Sequence, residues 1–297
     1  MSNPSGGAIR NVNSDTLFYG VLGDPVRHSR SPVMIGSAFA ALGINAVYGA
    51  FHVPPSRLEE AVRGIRGLGL QGVNVTIPHK VEVMKYLDEL DETAEAAGAV
   101  NTIVNRDGVL VGCNTDGIGY VRSLKEETGV SVEGSRIVVL GAGGAARGVA
   151  HALAKERPAA MYIANRTKEK AEHLASGLKG CSEAIGIGWD QIDHIIENAD
   201  IIINTTPIGM FPNVGASPAE LAGIRPGTVV SDLIYNPMMT SFLKQAKALG
   251  AAIHGGLGMF VYQGACAFEY WTGLSAPIDA MRASVLDTLA PKEGASP

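Results

Sequence analysis

The chain has few cysteines, and the three that it has are far apart. Cys113, Cys181 and Cys266 show neither a metal-ligand spacing nor a disulfide pattern. The seven histidines are equally scattered, so no cluster of histidine and carboxylate residues predicts a metal site. We therefore expect reduced thiols, a cytoplasmic location and no bound metal.

Long apolar runs and an excess of charge are also missing. No stretch approaches the roughly 20 apolar residues needed to span a bilayer. Residues 1–15 are polar, lack the apolar segment of a signal peptide, and are predicted to form a flexible tail. The formal net charge of −5 gives no reason to expect nucleic acid or an anionic membrane as a partner.

What the 297 residues do contain is an alternation of strand and helix patterns. Hydrophobic residues make up 46% of the chain and there are 37 glycines, which is typical of an α/β enzyme with many tight turns. The patterns predict strands at 16–23, 46–53, 72–77, 100–105, 109–113, 136–140, 161–164, 201–204 and 229–233. They predict helices at 31–42, 57–66, 81–87, 91–97, 117–128, 145–155, 168–176, 240–249, 263–273 and 278–289.

A glycine-rich loop follows the apolar strand at 136–140 and opens a helix. Its residues, Gly141, Ala142, Gly143, Gly144, Ala145 and Ala146, fit the G-x-G-x-x-A fingerprint of a dinucleotide-binding turn. The glycines permit a tight turn and a close approach to pyrophosphate, and the helix N-terminus offers free N–H groups. The strand-loop-helix context predicts a Rossmann-type, doubly wound domain at 118–257.

The end of the next strand indicates which dinucleotide is bound. An NAD enzyme usually has an acidic residue there, but the strand ends in Asn165, Arg166 and Thr167, with Lys170 one helical turn further. Arg166 can clamp a 2′-phosphate and Thr167 can donate to it, so NADP is favoured over NAD. The alternative is a solvated basic helix start. Thr205 and Thr206 follow another strand and are expected to line the cofactor crevice, although a plain turn is an alternative.

A second constellation lies before the glycine loop. An apolar run brings Asn74, Thr76 and Lys80 to a strand end that Pro78 terminates. Two neutral hydrogen-bonding groups and an ammonium suit the binding of hydroxyl groups and the transfer of a proton. Together with the nucleotide loop, they predict hydride transfer to a small polyol or ketone by an α/β substrate domain at 16–117, with a cleft between the two domains.

Further polar residues surround this constellation in the sequence. Ser29 and Ser31 lie two residues apart at a helix start, where both can donate to a carboxylate, although Ser31 before Pro32 is also a good N-cap. Asn101 and Asp116 belong to the segments 98–102 and 112–117, which lie at the ends of the two strands of a predicted hairpin. An aspartate before glycine is often only a turn residue, but two Asn-Thr pairs near a candidate lysine favour a site.

With these motifs in order, the chain resembles shikimate dehydrogenases along essentially its whole length after the tail. The matching segments are the serine pair, 74–80, 98–102, 114–119, the glycine loop, 165–167, 204–210, 232–237 and 256–263. The resemblance implies reversible, NADPH-dependent reduction of 3-dehydroshikimate to shikimate, a step towards chorismate and the aromatic amino acids. It also implies that the helices of 258–297 complete the first domain and that the chain forms a homodimer, although some members are monomers.

The resemblance also implies a role for each residue. Lys80 would transfer the proton with Asp116 as its partner. Ser29 and Ser31 would hold the substrate carboxylate. The ring hydroxyls would be bound by Asn74, Thr76, Asn101 and Asp116. Tyr235 and Gln263 would complete the substrate pocket, and Gly258 and Met259 would position the nicotinamide.

Three positions depart from the usual family pattern. Val81 stands where an acidic residue is common, Phe260 stands where leucine is commoner, and Gln263-Gly264-Ala265 resembles quinate-using relatives. A quinate/shikimate dehydrogenase with relaxed cofactor use therefore stays an alternative. A non-catalytic NADP-binding sensor is a second one, although it would not need Lys80 and Asp116.

Overall fold

The computed structural model describes residues 12–178 and 183–289. Residues 1–11 of the predicted tail, Cys181 and residues 290–297 of the C-terminal segment lie outside the described residues.

The described elements alternate as the sequence predicts. The strands are β1 (Leu17–Gly23), β2 (Ala46–His52), β3 (Gly72–Val75), β4 (Glu89–Leu90), β5 (Thr102–Arg106), β6 (Val109–Cys113), β7 (Arg136–Leu140), β8 (Ala160–Asn165), β9 (Ala184–Gly188), β10 (Ile201–Asn204), β11 (Val229–Asp232) and β12 (Ala252–His254). The helices are α1 (Ser31–Ala41), α2 (Leu58–Gly67), α3 (Glu92–Ala97), α4 (Asp116–Thr128), α5 (Gly144–Lys155), α6 (Lys168–Gly177), α7 (Ile192–Ile196), α8 (Ser241–Ala248), α9 (Gly256–Thr272) and α10 (Ile278–Leu289), with short 3₁₀ turns at Pro55–Arg57, Glu82–Tyr86 and Trp189–Gln191.

The first sheet has the order β2-β1-β3-β5-β6-β4 over the described residues. β1 is parallel to β2 and β3, whereas β5 is antiparallel to β3 and β6. One apolar core combines this sheet with α1, α9 and α10, and a second core packs α2 against it. Parallel strands with helices on the faces direct the carboxyl ends of β1 and β3 to one edge of the sheet, where the strand-end side chains meet.

The second sheet is parallel throughout its described strands and has the order β12-β11-β10-β7-β8-β9. Apolar cores cover both faces, as a doubly wound sheet requires. The strand order reverses between β7 and β10, so the loops that follow these two strands flank the switch point. The α/β fold predicted from the sequence, with a Rossmann-type second sheet, is confirmed.

Several elements differ from the sequence-based expectation. β4, β9, β12 and α7 are short and were not predicted, and the predicted start of α9 at 263 is wrong, because the helix begins at Gly256. Glycines at 256 and 258 argue against a helix on propensity alone. A Cβ at Gly258 would, however, collide with Ser123 on α4, so tertiary contact requires glycine there and overrides the propensity.

Helix α4 joins the two halves of the molecule. A Cβ at Gly117 would collide with the backbone oxygen of Gly148 on α5, and one at Gly119 would collide with the backbone of Gln263 on α9. These close approaches fix α4 against the helix of the glycine loop and against the helix that returns to the first sheet. Asp116, the first residue of α4, is therefore placed by both.

A buried histidine strengthens this junction. His254 at the end of β12 is 1% exposed, and its ring nitrogens hydrogen-bond Ser231 on β11 at 2.8 Å and Ser123 on α4 at 2.7 Å. Burial lowers the pKa of His254 to about 4, an effect that nearby Arg282 adds to and Glu127 opposes. The imidazole is therefore neutral at neutral pH and serves as a structural hydrogen-bonding group.

The lowered pKa predicts a loss of stability in mild acid. Between pH 6.5 and about 4 the unfolded histidine is protonated and the folded one is not, so its contribution is present above pH 6.5 and is lost as the pH falls. The free energy of unfolding of His254→Asn should therefore fall less than that of the wild type as the pH is lowered through this range. Urea denaturation at several pH values measures both slopes, and parallel slopes would contradict the prediction.

Candidate active site

A cavity of about 560 Å³ lies between the carboxyl edges of the two sheets. The polar residues that line it are Asp24, His28, Ser29, Ser31, Asn74, Thr76, Lys80, Asn101, Asp116, Tyr235 and Gln263, and the apolar ones include Ile77, Met210, Leu233, Met259 and Phe260. Every residue expected to bind the substrate therefore borders a single cavity. Asp24, His28 and Phe260 were not expected to line it, and their only signal in the sequence is closeness to predicted site residues.

An ion pair lies in the wall of the cavity. Lys80 Nζ donates to Asp116 Oδ2 at 2.6 Å, and Asp116 Oδ1 accepts from Asn101 Nδ2 at 2.8 Å. The Asp116 side chain is 12% exposed and that of Lys80 is 30% exposed. The backbone oxygen of Lys80 accepts from Val100 N at 2.7 Å, which ties the turn after β3 to the strand region beside it.

This pair suits proton transfer. An ammonium has three donors, and Asp116 uses one of them, so others remain for a group in the cavity. Both carboxylate oxygens of Asp116 already accept from the protein, and the carboxylate also lies at the N-terminus of α4, where the helix dipole favours negative charge. Asp116 is therefore an anchor that keeps Lys80 at the cavity.

The start of α1 contributes two hydroxyls to the lining of the cavity. Ser31 N donates to Ser29 Oγ at 3.2 Å, and the helix begins at Ser31 with Arg30 as its N-cap residue. The alternative role of Ser31 as the N-cap is therefore not realised. Two serine hydroxyls at a helix N-terminus form a site suited to a carboxylate.

Two stacked aromatic rings also line the cavity. The rings of Tyr235 and Phe260 stack with centroids 5.0 Å apart, and Gln263 Nε2 donates to the backbone oxygen of Phe260 at 2.8 Å. Burial raises the pKa of Tyr235, while nearby Arg30 lowers it. The phenol is therefore protonated and can act as a hydrogen-bond donor to a ligand.

The glycine loop meets the requirements of a dinucleotide. Gly141 has φ +111°, a conformation that favours glycine, and a Cβ there would lie 2.6 Å from Thr205 Oγ1. Around Gly143 and Gly144 the described atoms leave the space next to the Cα atoms open. A pyrophosphate can therefore approach the backbone at the N-terminus of α5, so the residues present fit such a group.

The predicted basic tip lies beside this loop. Gly141 N donates to Ala164 O at 2.7 Å, which joins the loop to the end of β8. Asn165 Nδ2 donates to the backbone oxygen of Thr167 at 2.9 Å, and Arg166 is exposed next to it, with Lys170 on the first turns of α6. The charges therefore face solvent next to the open side of the loop, where a 2′-phosphate can reach them.

A buried polar network holds the loop after β10. Asn204 Oδ1 accepts from the backbone and the hydroxyl of Thr206, and its Nδ2 donates to Asp232 Oδ1 at 3.0 Å. Asp232 also accepts from Thr240 Oγ1 at 2.7 Å and from Ile234 N at 3.1 Å. Burial raises the pKa of Asp232 to about 6 despite these hydrogen bonds. Asn204 and Asp232 therefore position the two loops that carry Thr206 and Tyr235.

Gly258 and Met259 occupy different positions on the first turn of α9. Met259 lines the cavity, whereas Gly258 packs against Ser123 of α4.

Among the described residues there is no group of three or more His, Cys, Asp or Glu residues arranged to hold a metal ion. In the same described ranges, no helix is long and apolar enough to cross a bilayer.

The chain is similar to known proteins along most of its length. Three family models match: the shikimate dehydrogenase substrate binding domain over residues 21–103, shikimate / quinate 5-dehydrogenase over 123–209, and the shikimate 5′-dehydrogenase C-terminal domain over 256–286. The shikimate dehydrogenase (NADP(+)) of Geobacillus kaustophilus is 50% identical over 272 residues, which cover 91% of this chain and 98% of that protein.

Two solved structures share the architecture. A shikimate dehydrogenase in complex with NADP+ is 47% identical with a TM-score of 0.86, and the alignment covers 93% of this chain and 97% of that one. The shikimate 5-dehydrogenase of Listeria monocytogenes in complex with shikimate and NAD is 38% identical with a TM-score of 0.87, and the alignment covers 93% and 98% of the two chains.

Proposed function

Because the chain belongs to the shikimate dehydrogenase family, we propose that it interconverts 3-dehydroshikimate and shikimate with NADP(H), with Lys80 transferring the proton and Asp116 as its partner. It is an NADP-dependent oxidoreductase of the pathway to the aromatic amino acids. The observation that carries the assignment of the site is the 2.6 Å ion pair between Lys80 and Asp116 at the wall of the shared cavity.

The substrate is oriented from both ends of the cavity. Ser29 and Ser31 donate to its carboxylate at the start of α1, and Asn74, Thr76, Asn101 and Asp116 bind its ring hydroxyls. Tyr235, in the loop after β11, and Gln263, on α9, complete the pocket. This arrangement brings the carbonyl or hydroxyl that reacts to the end of the cavity that holds Lys80.

The proton step belongs to Lys80. As the ketone is reduced, the ammonium donates a proton to the oxygen that becomes the hydroxyl, and in the reverse direction the neutral amine accepts it. Asp116 holds the side chain of Lys80 in place. NADP(H), when bound, supplies the hydride donor or acceptor. Met210 and Phe260 contribute apolar surface to the wall of the cavity.

The cofactor is proposed to bind along the carboxyl edge of the second sheet. The pyrophosphate is held by Gly141, Ala142, Gly143, Gly144 and Ala145, and the adenosine end by Asn165, Arg166, Thr167 and Lys170. Thr205, Thr206, Gly258 and Met259 hold the nicotinamide end, with Gly258 acting through the packing of α9 on α4.

Removing the charge of Arg166 should weaken the binding of NADP selectively. A bidentate guanidinium contact to phosphate is strong, so we expect Arg166→Ala to raise the KM for NADP about 10- to 100-fold and to leave that for NAD nearly unchanged. Arg157→Ala is the matched control, because Arg157 is an exposed cation that pairs with Glu133 just before β8. Initial rates with each cofactor measure the effect, and an equal loss for NAD and NADP would refute the role.

We also propose the domain organisation 16–117 with 258–297 for the substrate domain, and 118–257 for the NADP-binding domain. Support comes from Phe268 on α9 and Met281 on α10, which share the core of β1 and α1.

A homodimer is proposed as the assembly. A cytoplasmic location is proposed as well, and the free thiols of Cys113 and Cys266, whose pKa values burial raises to about 12 and about 11, are consistent with it.

The proposal is tested by the absorbance of NADPH with shikimate or quinate and with NADP or NAD. We expect turnover with shikimate and NADP to exceed the other three combinations. If quinate, or NAD as the cofactor, gave turnover comparable to that with shikimate and NADP, the chain would instead be a quinate/shikimate dehydrogenase with relaxed cofactor use. The absence of turnover in all four combinations would overturn the proposed function.

A further inference from the structure

The amide of Asn74 is held in one orientation by three hydrogen bonds. Its Nδ2 donates to the backbone oxygen of Asn101 at 3.2 Å and to Thr102 Oγ1 at 3.1 Å, and its Oδ1 accepts from the Tyr48 hydroxyl at 2.7 Å. A primary amide has two N–H donors, and the protein engages both. What Asn74 still offers the cavity is the second lone pair of its oxygen, so it is set to accept a proton from a substrate hydroxyl.

Tyr48 reaches Asn74 across an intervening strand. β1 lies between β2, which carries Tyr48, and β3, which carries Asn74. Adjacent strands are about 4.8 Å apart, so the side chain must bridge two such spacings, which requires a long residue with a polar tip. The ring packs against Trp271 with centroids 6.1 Å apart, and Tyr48 is 8% exposed. The hydroxyl is therefore held in place behind the cavity wall.

From Asn74 the hydrogen bonds continue to the proton-transfer pair. Thr102 Oγ1, which accepts from Asn74, donates to Asn101 Oδ1 at 3.0 Å. Asn101 Nδ2 donates to Asp116 Oδ1 at 2.8 Å, and the other oxygen of Asp116 accepts from Lys80. Thr102 is 0% exposed and Asn101 is 2% exposed. In such a low-dielectric network each hydrogen bond reinforces the orientation of the next.

Ser31 also contacts the phenol of Tyr48. Burial raises the pKa of Tyr48 well above its usual value, and a hydrogen bond with Ser31 opposes part of that rise. The phenol is therefore protonated, which allows it to donate to Asn74. Ser31, proposed to contact the substrate carboxylate, and Asn74, proposed to accept from a substrate hydroxyl, both contact the same tyrosine.

We propose that Tyr48 is a positioning residue of the active site, which fixes Asn74 as a hydroxyl acceptor and supports Asp116 through Thr102 and Asn101. The inference rests on the proposed function, since its consequence is measured on shikimate. Tyr48 acts through Asn74, and the expected consequence is poorer binding of the substrate with a smaller effect on the proton step.

The test is Tyr48→Phe, which removes one oxygen and leaves the ring. Loss of a hydrogen bond of ordinary strength predicts a rise of about 5- to 20-fold in the KM for shikimate, a smaller fall in kcat and an unchanged KM for NADP. Tyr19→Phe is the matched control, because Tyr19 is the neighbour of Tyr48 in the sheet register and shares its apolar core. A purely structural role would lower the unfolding temperature and leave the KM for shikimate unchanged, which would overturn the inference.

A double-mutant cycle tests the route of the effect. If Tyr48 acts through Asn74, the combination of Tyr48→Phe with Asn74→Ala should have the same KM for shikimate as Asn74→Ala alone. Independent, multiplicative effects would overturn the inference.

If Tyr48→Phe does not fold, Thr102→Val is the alternative variant, because it interrupts the same chain of hydrogen bonds. It should raise the KM for shikimate and lower kcat, and wild-type kinetics would overturn the inference. A wild-type enzyme without activity on shikimate would instead refute the proposed function.

Discussion

Lys80→Ala should lower kcat by about 10²- to 10⁴-fold with a modest change in the KM for shikimate, because loss of a general acid-base removes stabilisation of the transition state. The mutation leaves Asp116 with its bond from Asn101 and removes the group that donates towards the cavity. Lys85→Ala is the control, since Lys85 is an exposed lysine paired with Glu82 just after the same turn. Steady-state rates measure the effect.

Small primary amines in solution provide an independent readout for this variant. The space vacated by the side chain of Lys80 opens to the 560 Å³ cavity, so an added amine can enter and restore part of the proton transfer. We expect the rate of Lys80→Ala to increase with amine concentration, whereas that of Lys85→Ala should not respond. A loss confined to the KM for shikimate, without any rescue, would assign Lys80 to binding alone.

Asp116→Asn should lower kcat by about 10- to 10³-fold. One carboxylate oxygen accepts from Lys80 and the other accepts from Asn101, whereas an amide has only one accepting end. In either orientation of the new amide, its NH2 group faces another donor, which is Lys80 Nζ or Asn101 Nδ2. Lys80 also loses the negative charge that holds it at the cavity. Stopped-flow and steady-state rates measure the loss.

The control for Asp116→Asn is Asp88→Asn, because Asp88 forms a more exposed pair with Arg66 in the same domain. We expect that control to keep the kcat of the wild type. If Asp116→Asn also kept it, Lys80 would not depend on the carboxylate, and the pair would be a structural salt bridge.

The sequence predicted the site best where local chemistry sets the structure. Pro78 after an apolar run marked the end of β3 and the turn to Lys80, and the glycine fingerprint marked the tight turn at Gly141. The first feature depends on the restricted backbone of proline and the second on the backbone freedom of glycine, and both are properties of single residues. The resemblance to a known family supplied the roles that these patterns alone left open.

The sequence patterns do not predict features that depend on tertiary contacts. The helix α9 begins at Gly256 although glycines at 256 and 258 have low helix propensity. Only tertiary contacts explain them, because a Cβ at Gly256 would collide with the backbone of Leu233 and one at Gly258 would collide with Ser123 on α4. The links from Tyr48 to Asn74 and from Asp232 to Asn204 each join residues on different strands. The two residues of each pair are 26 and 28 positions apart in the sequence, so no periodic pattern indicates that they are in contact.

The most direct test of the proton-transfer assignment is a crystal structure of the wild-type protein with shikimate alone, which cannot react without the cofactor. We predict the shikimate carboxylate on the hydroxyls of Ser29 and Ser31, and Lys80 Nζ within about 2.6–3.2 Å of a ring hydroxyl. A reversed ligand, with its carboxylate on Lys80 and its ring hydroxyls at the serines, would contradict the account.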